Sequence, residues 1–569
     1  MTNLDSLGTV HSTDVLIVGG GAAGLSAAIT AKETSPELDV LVVDKATASR
    51  GWAGKSARTA GLLSFVTEQD DPEAFVRYCL ENIGFYLNDQ LLLREFAFSS
   101  RPITERISSW GVEILRREGG VIDYAKWPFP WGTASINPDM CTRMAAYARE
   151  LGVRIIDKVV IADLMKYENR ISGAVGFNIV NGTYHIFEAA TVILANGSQN
   201  YDMTLRWCGT GNGVAAAYWA GAEMRNAEFG NMCDFSRVDP RGWVITAGAH
   251  TAHDYLYAKG ENISQKYRPG LHSSMDPIAV LAWYRETLAG NGPIEAHLDA
   301  FAAESGKFFK FHPEALERQS RILKKSAPLD SQRFEVIPGF IGELSCVKVD
   351  HQMRTTVPGL FAVGDVSGSG SARAGAVPAP PAKIHGTGLL NAFFMGMKGG
   401  PAAAIHARAL KTYSIQGKAD YDQVAALKEK VYAPMNLKDG ISPRDVIHKV
   451  QDAIAPADRG VIKSEERMKK ALDEITKIRR ESDAMKAKDF HDLAKCLDAQ
   501  SMPLCAEMFF RSSLIRTESR GFHYREDYPE MDNKNWLKWI IVKDEGGNMM
   551  VSTEDIPMHR YPYKPDRLA

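Results

Sequence analysis

The stretch Asp14-Val15-Leu16-Ile17-Val18-Gly19-Gly20-Gly21-Ala22-Ala23-Gly24 decides how the chain begins to fold. A short β-forming run leads into a glycine cluster, and the alanine-rich segment Leu25 to Lys32 that follows has strong helix propensity. A second β-rich run, Leu38 to Val43, ends at Asp44 and completes a strand–helix–strand unit. Gly19, Gly21 and Gly24 match G-x-G-x-x-G between strand and helix, with Ala22 and Ala23 in the same turn. Without side chains the backbone can turn tightly and approach a pyrophosphate, whose charge is met by free N–H groups at the helix start. Asp44 stands about twenty residues on, at a strand end from which a carboxylate accepts hydrogen bonds from an adenosine ribose.

Two distant segments extend the site. Thr191-Val192-Ile193-Leu194-Ala195-Asn196-Gly197 is a buried-strand pattern ending in Ala-Asn-Gly, and Gly359-Leu360-Phe361-Ala362-Val363-Gly364-Asp365 is another strand end, with a carboxylate for a sugar-like hydroxyl chain. Three strand ends so far apart in sequence fit a long cofactor, FAD, better than a nicotinamide dinucleotide. Just beyond, Ile384-His385-Gly386-Thr387-Gly388-Leu389-Leu390 reads as a loop entering a helix, whose positive end would face a reduced flavin. An ordinary helix start is the other reading of that segment.

Between these segments the pattern is helical from Asp71 to about Glu118, broken by the aromatic loop Trp127-Pro128-Phe129-Pro130-Trp131-Gly132, and then β-rich from Val153 to Phe187 with a hairpin turn at Val180-Asn181-Gly182-Thr183. Trp127 and Trp131 suit either the wall of a pocket or the core. From 231 to 343 histidines, aromatics and mixed charges replace the strand–helix rhythm, which predicts an inserted domain. Beyond Pro401 the chain reads as helical, with one apolar stripe at Met468, Leu472, Ile475 and Ile478. The expected fold is α/β: a Rossmann-type FAD-binding domain in two parts (1–230 and 344–410), an inserted α+β capping domain (231–343) and a C-terminal helical domain (411–569).

A chain of 569 residues can bury a large cofactor, and its 45% hydrophobic and 24% charged content is that of a soluble globular enzyme. The formal net charge of −2 provides no global field for nucleic acid or an anionic membrane, and no apolar run is long enough to span one. Seven scattered cysteines make no C-x-x-C pair and no cluster-binding run, so no metal site is expected. Met1 to His11 lacks the pattern of a secretory leader, and the expected compartment is the reducing cytoplasm.

With the glycine cluster, the Gly209-Thr210-Gly211-Asn212-Gly213 turn, the Gly364-Asp365 element and Glu518-Ser519-Arg520-Gly521-Phe522-His523-Tyr524-Arg525-Glu526-Asp527-Tyr528-Pro529, the chain resembles the fumarate reductase and succinate dehydrogenase flavoprotein superfamily along nearly its whole length. Within it, Arg170 to Asn178, His185-Ile186-Phe187 and Asp532-Asn533-Lys534-Asn535-Trp536 are similar to the α subunit of adenylylsulfate reductase. The resemblance implies an organic substrate and electron exchange with a separate, ferredoxin-like iron–sulfur subunit. The candidate cofactor residues are then Gly19, Gly21, Ala22, Ala23, Gly24, Asp44, Lys45, Trp52, Gly54, Lys55, Ser56, Val160, Ala195, Asn196, Gly197, Asn212, Gly364, Asp365, Gly388, Leu389 and Leu390.

The chain also departs from that pattern. Where many relatives carry Arg-Ser-His-Thr, whose histidine bonds covalently to flavin, Arg50-Gly51-Trp52-Ala53-Gly54-Lys55 has no histidine, which predicts non-covalent FAD. The His-x-Thr-x-Gly-Gly region reads Gly339-Phe340-Ile341-Gly342-Glu343-Leu344-Ser345, and the arginine segment that clamps substrate carboxylates is replaced by Ala374 to His385. Lys383 does not replace a bidentate guanidinium, so fumarate and succinate are disfavoured as substrates. His250 and His253 stand where the relatives' catalytic arginine is expected and are candidate proton donors; Arg373, just past the Asp365 element, is the remaining anion anchor, and His385, in the loop entering the helix, is a further catalytic candidate. The favoured activity is hydride transfer between flavin and an organic substrate across a C–C bond. Sulfur chemistry of the adenylylsulfate reductase type, an FAD electron-transfer subunit with no substrate of its own, and a dioxygen-using oxidase are the alternatives.

Overall fold

The computed structural model describes residues 3–58, 62–126, 131–203, 209–237, 255–267, 277–297, 333–368, 387–412 and 419–565. Its main sheet is built around the predicted unit β1 (Thr9–Val18), α1 (Ala22–Thr34) and β2 (Val40–Asp44), with Val15 opposite Val40 and Val18 opposite Val43 in parallel register. β3 (Arg154–Asp157) extends the sheet beyond β2. On the other side of β1 lies β6 (Tyr184–Leu194), followed by β5 (Arg170–Asn178) and β4 (Val159–Tyr167), the last three joined antiparallel. β7 (Leu360–Ala362) pairs in parallel with the last residues of β6.

β6 is one strand of 11 residues, where the sequence pattern shows two runs. Ala189 and Ala190 carry it across the gap because both are buried, so packing outweighs alanine's weak β preference. The turn before it forms as expected: Gly182 takes φ +72°, and Asn178 Oδ1 accepts the N–H groups of Val180 and Asn181. The helical stretch from Asp71 to Glu118, in contrast, divides into Pro72–Cys79, continued by the π-helical turn Leu80–Gly84, and Gln90–Ser108, and ends before 118. Phe85 and Tyr86 turn the chain at positive φ between them, while Asp71 and Asp89 cap the two helices through their side chains.

The segment 231–343 contributes a five-stranded antiparallel sheet in which Met232–Arg237 pairs with Arg333–Gly342, so the insertion closes on itself at its neck. After β7, α2 (Thr387–Thr412) starts well before Pro401 and runs through it. α2 crosses α1 at very short range: a Cβ on Gly396 would lie 2.6 Å from the Ala23 carbonyl oxygen, and one on Gly400 2.3 Å from that of Ala27. Two glycines one turn apart let the helix that follows the third strand end lie directly on the helix of the glycine turn.

Four further helices, Tyr421–Asn436, Pro443–Ile454, Glu465–Glu481 and α3 (Phe490–Ile515), carry the C-terminal region, and Met468, Ile475 and Ile478 face its core. The chain then adds a hairpin, Lys538–Glu545 with Asn548–Asp555, which pairs with Met224–Arg225. Gly546-Gly547, both at positive φ, make its turn, and the β-rich run Trp539-Ile540-Ile541-Val542 before it departs from the helical reading of this region.

The Glu518 to Pro529 motif is mostly interior. Arg516 donates to Glu228 and to Glu518 at 2.8 Å each, and Arg520 grips both oxygens of Glu518 at 2.7 and 2.8 Å, with all four side chains shut off from solvent. His523 accepts from Lys463 Nζ at Nδ1 (2.8 Å) and donates from Nε2 to the Arg516 carbonyl (3.1 Å). Burial and the surrounding cations hold its pKa far below the usual range, so it is neutral here.

Two outcomes test this packing. Gly400→Val should cost about 1–3 kcal/mol of stability by overpacking the α1–α2 crossing, seen as a lower thermal midpoint; an unchanged midpoint contradicts the contact. Glu518→Gln strips two buried guanidinium groups of their shared carboxylate and should cost about 3–5 kcal/mol in urea unfolding.

Candidate cofactor crevice

Val43, Val18, Leu194 and Ala362 form one row across four parallel strands, and the chain leaves the sheet just beyond them at Asp44, Gly19, Ala195 and Val363. Backbone hydrogen bonds hold the exits together: Gly19 N to Val43 O at 2.8 Å, Ala195 N to Val18 O at 2.8 Å and Val363 N to Leu194 O at 2.9 Å. A crevice outside the carboxyl ends of parallel strands, where connections depart in different directions, is the usual ligand site of such sheets.

The glycines divide into two kinds. A Cβ on Gly24 would lie 1.8 Å from the Gly19 carbonyl oxygen, and one on Gly19, at φ +109°, 2.5 Å from that of Ala195; both serve close chain packing. Among the described residues, an added Cβ on Gly21 would meet only Ser56 Oγ, at a tight 3.3 Å, and one on Gly54 or Gly197 would meet nothing within 4 Å, so Gly54 and Gly197 face open space and Gly21 is closed only by the Ser56 hydroxyl. Gly21 is also the N-cap of α1 and supplies no side-chain cap, while Ala22 N donates to Ser56 Oγ at 3.0 Å. The positive end of the helix thus opens onto the crevice.

Asp44 accepts Gly20 N (2.7 Å) on one oxygen and Ala46 N (2.6 Å) on the other, and each oxygen keeps a lone pair for a further donor. Burial raises its carboxyl above the ordinary range, with the two N–H donors and Lys45 working in the opposite direction. Asn196 Oδ1 is buried and finds no hydrogen-bond partner among the described residues. Such an atom costs about 1–3 kcal/mol until a donor arrives. An open glycine cradle at a helix start, a carboxylate at each end of the row and an amide oxygen awaiting a donor fit a long, hydroxyl-bearing diphosphate such as FAD.

At the far end of the row Lys55 Nζ donates to Ser198 Oγ (2.9 Å), Glu343 Oε1 (2.9 Å) and Asp365 Oδ2 (3.1 Å). Burial opposes its charge, but the two carboxylates outweigh that and raise the ammonium's pKa. Ser198 and Glu343 are functional candidates that sequence reasoning misses. Nothing in sequence marks Glu343 as a partner for Lys55, because the contact joins residues 288 positions apart and depends on a non-glycine residue at φ +96°.

The other predicted residues distribute unevenly. Lys45 reaches Thr210 Oγ1 at 3.2 Å and lies 3.9 Å from Asp498; Asn212 donates to the same Asp498 at 2.9 Å and accepts from Ser501, so α3 holds both. Val160 is buried in the sheet opposite Phe177, and Trp52 exposes 73% of its surface on a turn bridged to Thr47. Gly388, Leu389 and Leu390 form the first turn of α2, with Leu390 buried. Trp131 packs edge-on against Phe75 and Tyr78, which makes it a core residue. His250, His253, Arg373, His385 and Trp127 lie outside the described residues.

Comparison with known proteins agrees with this geometry. Residues 14–378 match the family model described as FAD binding domain, and residues 449–568 match fumarate reductase flavoprotein C-term. One chain of the fumarate reductase (CoM/CoB) of Methanothermobacter marburgensis is 26% identical over 94% of this chain and 97% of its own. Among solved structures, the E. coli quinol fumarate reductase flavoprotein superposes with a TM-score of 0.79 at 19% identity, covering 97% of this chain and 98% of its own. The adenylylsulfate reductase of Archaeoglobus fulgidus does so at 0.77 and 23%, covering 98% and 97%. These two scores do not separate the branches. With more than half of its length matched by one model and its C-terminal region by the other, the chain belongs to the FAD-binding oxidoreductases of the fumarate reductase and succinate dehydrogenase flavoprotein superfamily.

Proposed function

We propose that the chain is the flavoprotein component of an enzyme that transfers hydride to or from carbon in a small organic substrate and exchanges electrons with a ferredoxin-like iron–sulfur subunit. The single observation that carries this reading is the row of four strand ends, which places Asp44, the open start of α1, Asn196 and Asp365 along one crevice. FAD, when bound, supplies the hydride and electron transfer. The chain's own part is to hold it: Gly21 and the α1 N-terminus for the diphosphate, Asp44 for the adenosine ribose, Asn196 and Asp365 for the hydroxyl chain. Domain limits at 230, 343 and 410 go with this reading, the inserted segment beginning and ending at the paired strands that start at Met232 and end at Gly342.

Non-covalent attachment accords with the side chains near Ser56. The segment 50–56 has no histidine, Lys55 is committed to three partners, and burial pushes the Cys141 thiol up to about 12, so it is no nucleophile. His250 or His253 as proton donor, Arg373 as anion anchor and His385 as a further catalytic candidate complete the proposal. The likeness to adenylylsulfate reductase rests on segments that build scaffold: Arg170–Asn178 is a strand of the main sheet, and Asp532 caps the turn through Lys534 and Asn535. Carbon chemistry is therefore the better reading. A cytoplasmic setting goes with six described cysteines that are all buried and in no disulfide among the described residues, and no helix among the described residues is long and apolar enough to cross a membrane.

Isolation with native associates tests the whole proposal: a yellow protein that releases all its FAD into the supernatant on acid precipitation, with an iron–sulfur protein bound, is the expected result. A colourless chain that takes up no added FAD refutes it, and a yellow pellet refutes non-covalent binding. Asp44→Asn should weaken FAD at least tenfold, about 1.4 kcal/mol, in a fluorescence titration of the deflavinated protein, because the amide replaces one acceptor oxygen with a donor facing a backbone N–H.

A further inference from the structure

Glu343 is an unusual residue for its position. Its φ of +96° and the φ of +76° at Gly342 form two successive turns through the left-handed side, locked by Glu343 N and Leu344 N donating to Gln199 O at 2.8 and 3.0 Å. A glycine meets that conformation without strain, whereas a longer residue costs about 1–3 kcal/mol. The chain nevertheless has a glutamate there, with a buried carboxylate 2.9 Å from Lys55. The carboxylate, not the backbone, is what this position requires.

Its place along the crevice indicates the use. Asp44 on β2 marks the ribose end and the α1 N-terminus the diphosphate; the row then runs over β6 to β7. An extended cofactor anchored at the first two points carries its ring system toward the last, where Lys55 bonds Ser198, Asp365 and Glu343. From this juxtaposition we propose that Lys55 and Glu343 are positioning residues that set the charge beside the redox-active ring, with Lys55 favouring its reduced form and Glu343 restraining that preference. The inference rests on the reading that FAD fills the crevice. Reduction adds negative charge to the ring, so a fixed cation nearby stabilises the product and a fixed carboxylate opposes it. Lys55, Glu343 and Asp365 together carry −1 when all are ionised. Removing Glu343 abolishes that local imbalance, and removing Lys55 doubles it.

The test is the midpoint potential of FAD in the full-length purified protein. Glu343→Gln and Glu343→Gly should raise it, Lys55→Met should lower it, and Lys55→Arg should stay near wild type. Each shift should change the ratio of oxidised to reduced FAD at the wild-type midpoint at least tenfold, about 30 mV for two electrons. The double variant Lys55→Met/Glu343→Gln restores a charge of −1 and should return toward wild type, an outcome that a purely structural role does not produce. In the deflavinated protein, Glu343→Gly also relieves backbone strain and should keep the thermal midpoint, so that variant decides the matter where Lys55→Met fails to fold. Variants that bind FAD normally with unchanged potentials, or with shifts of one sign for both partners, overturn the inference and leave the proposed function standing. Failure of the wild-type protein itself to bind FAD overturns both.

Discussion

The architecture depends on the in-register ending of parallel strands that come from opposite ends of the chain. Val18, Val43 and Leu194 are brought into line by the N-terminal half, but Ala362 arrives only after the excursion through the insertion. A cofactor longer than any local turn can be gripped only if that late strand lands beside the early ones. The landing is enforced twice: β7 pairs with the end of β6, and α2 then crosses α1 on glycines. Any side chain at Gly396 or Gly400 pushes α2 away from the helix whose first turn opens onto the crevice, so packing distance at the crossing and geometry at the crevice are one constraint.

That constraint explains which parts of the site are legible in the sequence. Gly19, Gly24 and Asp44 can be read because their roles are local: a turn, a close approach and a strand end within one supersecondary unit. Asp365 and Asn196 can be read as strand ends, since each follows a buried apolar run. The Lys55–Glu343 contact cannot, because it pairs residues from two elements whose relation is set only by the completed fold. The Gly546-Gly547 turn is different: with the β-rich run Trp539-Ile540-Ile541-Val542 before it, it is a local hairpin signal that a helical reading of the whole segment 411–569 passes over. The merging of two strand runs into β6 is hidden for the opposite reason: alanine's local preference misleads where burial on both faces decides.

The Glu518 motif shows a second way in which sequence and site diverge. Its charged residues look like chemistry when read along the chain, yet Arg516, Glu518, Arg520 and His523 lie in the interior and satisfy one another and backbone carbonyls. Such a network adds little net stability relative to an apolar core, since desolvation offsets attraction, but it tolerates few alternative arrangements. Arg516 ties Glu228, beside the start of the insertion, to the backbone of Trp536 and Lys538 at the C-terminal hairpin, and Arg520 reaches the Phe85 carbonyl near the N-terminal helices. Its effect is to hold the N-terminal helices in register with the small sheet that the hairpin forms with Met224–Arg225.

Charge placement then links scaffold to chemistry. A chain with a net charge of −2 offers an anionic cofactor no general attraction, so the favourable field must be local. The α1 terminus supplies it at one end of the crevice and Lys55 at the other, but Lys55 arrives already bonded to two carboxylates, one just beyond β7 and one at the neck of the insertion. One ammonium therefore links Ser198 and Asp365, which follow β6 and β7, to Glu343, the residue just after the last strand of the inserted sheet. A displacement of that strand would move Glu343 and so alter the charge at the crevice as well as its shape, which makes the neck of the insertion a point where packing and crevice electrostatics meet.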